Sequence, residues 1–169
     1  MASAPVAILM GSDSDLETFQ ECTRTLKEFA VPHAMRILSA HRTPAALAEF
    51  VQRADREGVK VFIAGAGMAA HLAGAVAAQT AKPVIGVPMA SPLLNGLDAL
   101  LSTVQMPGGV PVATVAVGKA GAKNAALLAV QILARSDPRL EQALAAYRKK
   151  MADDVLAKDK ALQAKAGPG

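Results

Sequence analysis

Val59-Lys60-Val61-Phe62-Ile63-Ala64 runs directly into Gly65-Ala66-Gly67-Met68-Ala69-Ala70-His71-Leu72. The first six residues are a short, mostly apolar run with β-branched side chains, as expected for a strand buried on both faces. The glycines then mark a turn, and a helix is expected over residues 69–80. The same order recurs on either side. Residues 5–10, 34–38, 83–87 and 111–117 read as further buried strands. Leu16, Phe19, Thr23 and Leu26 recur at helical spacing, as do Leu47, Phe50, Val51 and Ala54, and Gly58 supplies a stop. Another helix is expected over residues 122–134. Strands alternating with helices imply right-handed crossovers and a parallel sheet covered on both faces, hence an α/β fold. Ligands of such sheets bind at the carboxyl ends of the strands.

A chain of 169 residues has the size of one ordinary domain and can bury a core without disulfides or metals. Hydrophobic residues make up 52% and aromatics only 3%, so the core has to be packed from Ala, Val, Leu and Ile. The single cysteine, Cys22, excludes an internal disulfide and a multi-cysteine metal site, and fits a reducing compartment. No continuous apolar run reaches the roughly 18 residues of a membrane span. The first residues lack the charged start and apolar run of a signal peptide. A cytoplasmic protein without membrane association is expected.

Up to Ala134 there are ten basic and nine acidic residues; beyond it there are eight and five. The basic excess therefore sits in the tail, interleaved with acids, as on a solvated helix. A nucleic-acid surface would need a basic stripe on the folded body. The expected division is an α/β domain over 1–134, a C-terminal helix over 135–165, and a disordered tail over 166–169. Leu140, Leu144, Tyr147, Met151, Val155 and Leu162 form a sparse apolar stripe along that helix. It suits a neighbouring subunit or the chain's own core.

Two polar loops stand at strand ends. The first is Gly11-Ser12-Asp13-Ser14-Asp15, in which Gly11 is expected to allow a sharp turn. Ser12 with Asp15, and Ser14 with Glu17, have capping-box spacing. A helix start after a strand is also an anion site, because backbone N–H groups and the helix dipole point at it. One capping residue is enough, and this loop holds four polar side chains in a row. Serine hydroxyls suit a phosphate; an acid would be repelled by one, so Asp15 suits sugar hydroxyls.

The second loop is Ser39-Ala40-His41-Arg42-Thr43-Pro44, ending in an N-cap and first-turn pair. Arg42 suits bidentate phosphate contact, and His41 suits proton transfer near neutral pH. A local hydrogen bond and a surface charge would also account for the two.

Residues 65–70 match G-x-G-x-x-A after a strand, a dinucleotide fingerprint. That fingerprint also needs an acid about 20 positions later, whereas the first acid after Gly67 is Asp98. The glycines instead suit close backbone approach to a substrate, around Gly67, and His71 suits either a cap or a ligand contact. His33, His41 and His71 form no H-x-x-x-H pair, so no metal is expected.

Taken together, these motifs resemble the class I N5-carboxyaminoimidazole ribonucleotide mutases of bacterial purine biosynthesis. MGSDSD at 10–15, SAHRTP at 39–44 and AGAG-AAHL across 64–72 carry the resemblance. So do PVIGVP at 83–88, VQMP, GVPVATVA and GKAGA within 104–122, and NAALLA at 124–129. The resemblance covers about residues 6–134 and is loose beyond. It implies a three-layer α/β/α sandwich with a flavodoxin-like sheet, an octamer, and a C-terminal helix reaching onto a neighbour. It implies a nucleotide substrate held by Ser12, Asp15, Ser39 and Arg42, with His41 as the single general acid/base. Gly67 and His71 would close over imidazole and carboxylate. No cofactor or metal is implied, and transient channelling from the preceding pathway enzyme is conceivable. Met68 departs from the resemblance, since a third glycine is common there. The rival readings are a class II carboxylase using free CO2, a non-catalytic nucleotide sensor and a dinucleotide oxidoreductase.

Overall fold

β1 (Val6–Met10) is buried at all five residues, and its side chains alternate between two layers. Val6, Ile8 and Met10 face α1 (Leu16–Glu28) and α5 (Gly118–Ala134). Ala7 and Leu9 face α2 (Pro44–Arg56) and α3 (Leu72–Ala77). β3 (Val61–Ala66) and β4 (Val84–Pro88) divide their side chains in the same way. The computed structural model describes residues 4–166 and is therefore a three-layer α/β/α sandwich. Ala122, Ala125, Ala126 and Ala129 have no exposed surface, and this small-residue face lets α5 lie close against α1.

The sheet is parallel throughout, with order β2-β1-β3-β4-β5, where β2 is His33–Ile37 and β5 is Ala113–Thr114. This is the flavodoxin-like doubly wound order. The chain leaves β1 for β2 on one side and returns to β3 on the other. The crossovers diverge there, which opens a crevice above the carboxyl ends of β1 and β3.

Several expectations need correction. β2 is an edge strand, with Met35 and Ile37 exposed, and is not buried on both faces. The fifth strand shrinks from seven expected residues to the two of β5. β3 is displaced two residues along the chain, to 61–66 from the expected 59–64, so Gly65 and Ala66 belong to the sheet. α3 is shorter than expected, and α5 starts four residues earlier, at Gly118 with φ +70°. α4 (Leu97–Val104) was not anticipated. Leu97, Leu100, Leu101 and Val104 do share one helical face, but the stripe runs over only eight residues, and Leu97, Leu101 and Val104 are exposed.

α6 (Pro138–Ala166) does not begin as a separate unit at 135. Leu140, Ala143, Leu144 and Tyr147 pack on the chain's own core, with the Tyr147 ring 5.5 Å from that of Phe29. Residues 148–165 are exposed throughout, a projection of roughly 27 Å at the helical rise. Of the tail expected over 166–169, Ala166 closes α6, and the rest lies outside the described residues.

Candidate active site

A cavity of about 710 Å³ opens at the crevice above the sheet, lined from the carboxyl ends of β1, β2, β3 and β4. It collects Ser12 and Asp15 from the first loop, Ser39, His41 and Arg42 from the second, and Gly67 from the third. Six of the seven residues singled out from the sequence therefore share one cavity. His71 is outside its lining but is joined to it through His41.

The first loop is held loosely. Ser12 caps a single 3₁₀ turn over Asp13–Asp15 through a long 3.4 Å bond from the Ser14 N–H. Its hydroxyl also donates to Asp13 Oδ1 at 3.1 Å. Asp15 stands at the N-cap of α1 yet makes no side-chain cap bond there. Capping thus accounts for little of this polarity. Burial pushes the Asp15 carboxyl above its ordinary range; a hydrogen bond from Ser14 works against this, and the charge of Asp13 adds to it. The chain bends at Gly11, as expected, without a left-handed backbone, and nothing lies within 4 Å of where its Cβ would be. What glycine provides here is open space beside the cavity.

The second loop is held tightly. The Ser39 N–H donates to Thr43 Oγ1 at 2.9 Å, and Thr43 Oγ1 donates back to the Ser39 carbonyl at 3.1 Å. Thr43 occupies the N-cap of α2, but its side chain points backward to Ser39 and makes no cap bond. Ser39 Oγ in turn accepts from the Arg42 N–H at 3.1 Å and the His41 N–H at 3.3 Å. Arg42 Nη2 donates to the Gly11 carbonyl and so ties the two loops together. Ser39 and Arg42 are therefore structural parts of the loop as well as candidate ligand contacts.

The third loop divides. Gly65 is a packing residue, since an added Cβ would strike the Phe19 ring and Met89. The dinucleotide fingerprint thus lacks its first ligand-facing glycine. Gly67 has ordinary room and lines the cavity. Met68 holds a left-handed φ of +53° and is 68% exposed. A glycine enters that region without penalty, a physical reason for glycine to be common there. His71 is the N-cap of α3 and makes no side-chain cap bond. Its Nδ1 lies 2.7 Å from His41 Nε2, with the rings nearly perpendicular at 80°.

His33 bonds the Val31 carbonyl through Nδ1 at 3.1 Å, away from the cavity. Among the described residues no group of three or more His, Cys, Asp or Glu could hold a metal ion. No described helix is long and apolar enough to cross a membrane. Cys22 lies in the core, where burial pushes its thiol up to about 12. At the starts of α1 and α5, Glu17 and Lys119 pair; the pairing lowers the carboxyl and raises the ammonium.

A fourth wall was missed from the sequence: Met89, Ala90, Ser91 and Pro92, just beyond β4. Ser91 is buried, and its hydroxyl lies 3.0 and 3.1 Å from the two Asp98 oxygens at the start of α4. The rule that ligands sit at strand carboxyl ends pointed to this segment as well. Its composition, apolar around one serine, gave no separate signal.

A family model described as AIR carboxylase matches residues 5–154. The match extends about 20 residues past Ala134, further than the motifs alone suggested. The chain is 54% identical over 153 residues to an Escherichia coli K12 protein named N5-carboxyaminoimidazole ribonucleotide mutase, covering 90% of each. It is 53% identical over 158 residues to a Pyrococcus horikoshii protein of the same name, covering 94% of this chain and 88% of that one. Its structure superposes on the crystal structure of Treponema denticola PurE with a TM-score of 0.86 at 31% identity, covering 94% and 98% of the two chains.

Proposed function

The chain belongs to the AIR carboxylase family, and on that premise we propose that it is the mutase of purine biosynthesis that converts N5-carboxyaminoimidazole ribonucleotide to 4-carboxy-5-aminoimidazole ribonucleotide. The observation that carries this reading is the company His41 keeps. Its cavity neighbours include an arginine for phosphate, serines and Asp15 for ribose and phosphate, and the turn at Gly67. A volume of about 710 Å³ is within the ordinary range for a small-molecule site.

The chemistry needs one group that gives a proton and then takes one. Protonated His41 delivers its proton to the carbamate nitrogen. The bond from that nitrogen to the carboxyl carbon breaks, releasing CO2 and leaving neutral aminoimidazole ribonucleotide. The amino group feeds electron density to C4, which attacks the trapped CO2 and forms the new carbon–carbon bond. Neutral His41 then removes the C4 proton, which restores the aromatic ring and the starting imidazolium. Atoms and charge balance without a metal or cofactor. A closed, water-poor site limits escape of CO2.

We propose that the subunits form a homo-oligomer, an octamer. Support comes from apolar side chains that one subunit leaves open: Met35 and Ile37 on β2, Leu97 and Leu101 on α4, Met151 and Val155 on α6. Large exposed apolar surfaces of this kind mark interaction sites. Hand-over of the carbamate from the preceding enzyme, in the cytoplasm, fits the same reading.

Carboxyl-labelled carbamate supplied in excess unlabelled bicarbonate tests the reaction. Product that keeps its label supports transfer of trapped CO2. The second reading, direct carboxylation of aminoimidazole ribonucleotide by free CO2, draws on the family's description as AIR carboxylase. It requires loss of label and a rate that follows bicarbonate, and that result would displace the mutase.

A further inference from the structure

His41 and His71 meet nitrogen to nitrogen, Nε2 to Nδ1, at 2.7 Å. At that separation one of the two facing nitrogens carries a hydrogen and the other does not. Neutral histidine favours the tautomer protonated on Nε2. If His41 Nε2–H donates to His71 Nδ1, both rings hold that favoured form. The reverse arrangement would force both rings into the less favoured form. The pair also has a direction in space. His41 lines the cavity and His71 does not, so His71 reaches the site through its neighbour.

We propose that His71 is a positioning residue: its unprotonated Nδ1 holds Nε2–H of His41, so that His41 exchanges protons with substrate through Nδ1. This inference rests on His41 as the acid/base of the proposed reaction. The same bond serves both charge states. When His41 carries its second proton, at Nδ1, the Nε2–H contact becomes charge-assisted and stronger. When that proton leaves, the contact persists and the ring stays aimed. His71 thus does for His41 what a third residue does for the base of a nucleophile–base pair, fixing tautomer and orientation. It does so as a neutral ring. The helix it caps gains no cap bond from its side chain, so that side chain is committed to this contact.

The chain has three histidines, which makes the side-chain nitrogen spectrum of 15N-histidine-labelled protein assignable by single substitution. In the ligand-free protein His41 and His71 should each appear as the Nε2–H tautomer. In His71→Leu the two His41 nitrogens should average. There kcat should fall roughly 10- to 100-fold while KM stays within about twofold, as for a lost orienting group. His71→Asn should recover most of the turnover, because its amide oxygen can accept where Nδ1 did. A wild-type His41 protonated on Nδ1 would overturn the proposal. So would a His71→Leu variant whose KM rises with kcat unchanged, which indicates direct substrate contact. The wild-type spectrum needs no turnover, so it tests the tautomer even if the proposed reaction fails.

Discussion

The two polar loops look alike as sequences and are built differently. Both follow a strand, both precede a helix, and both are rich in hydroxyls. In residues 11–15 the side-chain bonds are few and long, from 3.1 to 3.5 Å, and Asp15 caps nothing. In residues 39–44 the Thr43 hydroxyl both accepts and donates, and the backbone of His41 and Arg42 is fixed by Ser39 Oγ. A loop that spends its polar groups on itself can aim a side chain. A loop that leaves them unspent can receive a ligand. Under the proposed function the first loop mainly binds and the second mainly aims His41, with Arg42 bridging them at the Gly11 carbonyl.

The sharpest break is at His41. His41→Asn should lower turnover by roughly 10²–10⁴-fold, the worth of a positioned proton transfer. Affinity for product, measured by titration, should change little, since the proposed ribose and phosphate contacts belong to other residues. Near-normal turnover would remove His41 from the chemistry and the division of labour with it.

A serine from each loop provides a finer test. Ser39→Ala removes the acceptor of two backbone N–H groups and should reduce kcat about tenfold, because the hydrogen-bonded frame behind His41 is worth roughly 1 kcal/mol per bond. Ser12→Ala removes a 3.4 Å turn bond, the 3.1 Å bond to Asp13 and a candidate ligand contact. It should raise KM severalfold and leave kcat in place. If both variants affected only KM, the second loop would be another binding loop and the comparison would collapse.

How much of this was readable beforehand depends on the kind of signal. The three inner strands were visible because burial on both faces forces continuous apolar runs, as in Val61-Phe62-Ile63. α4 was missed although Leu97, Leu100, Leu101 and Val104 have helical spacing, because that stripe spans only eight residues directly after the turn-forming Asn95-Gly96. The candidate site was visible where polar residues crowd a strand end, at 11–15 and 39–44. It was invisible at Ser91, whose partner Asp98 is seven residues away and joined only by the fold. Thr43 was recognised as an N-cap position, but its partner was misjudged, since a side chain that can cap forward can also bond backward. The contact between His41 and His71 spans 30 residues and two loops, and no local pattern encodes it.

Asp15 carries the smallest effect and isolates the first loop. Its carboxyl is half-buried, and that burial raises its pKa above the ordinary 3.8. A raised folded pKa means that the folded protein holds the proton more tightly than the unfolded chain. The charged form therefore costs stability in full above the folded pKa, and the cost fades as pH falls through that pKa and below 3.8. Asp15→Asn should accordingly melt higher at neutral pH, by roughly 1–3 °C, a modest shift because solvent screens a half-exposed group. The gap between the two proteins should close in acid. Ligand affinity should move the other way and weaken, since an amide is a poorer acceptor for ribose hydroxyls than a carboxylate. A stabilised apo protein that binds less well is the mark of a group kept for a ligand at a cost to the fold. An Asp15→Asn protein that melts lower at neutral pH would instead show that Asp15 supports the turn, and the first loop would then be a scaffold like the second.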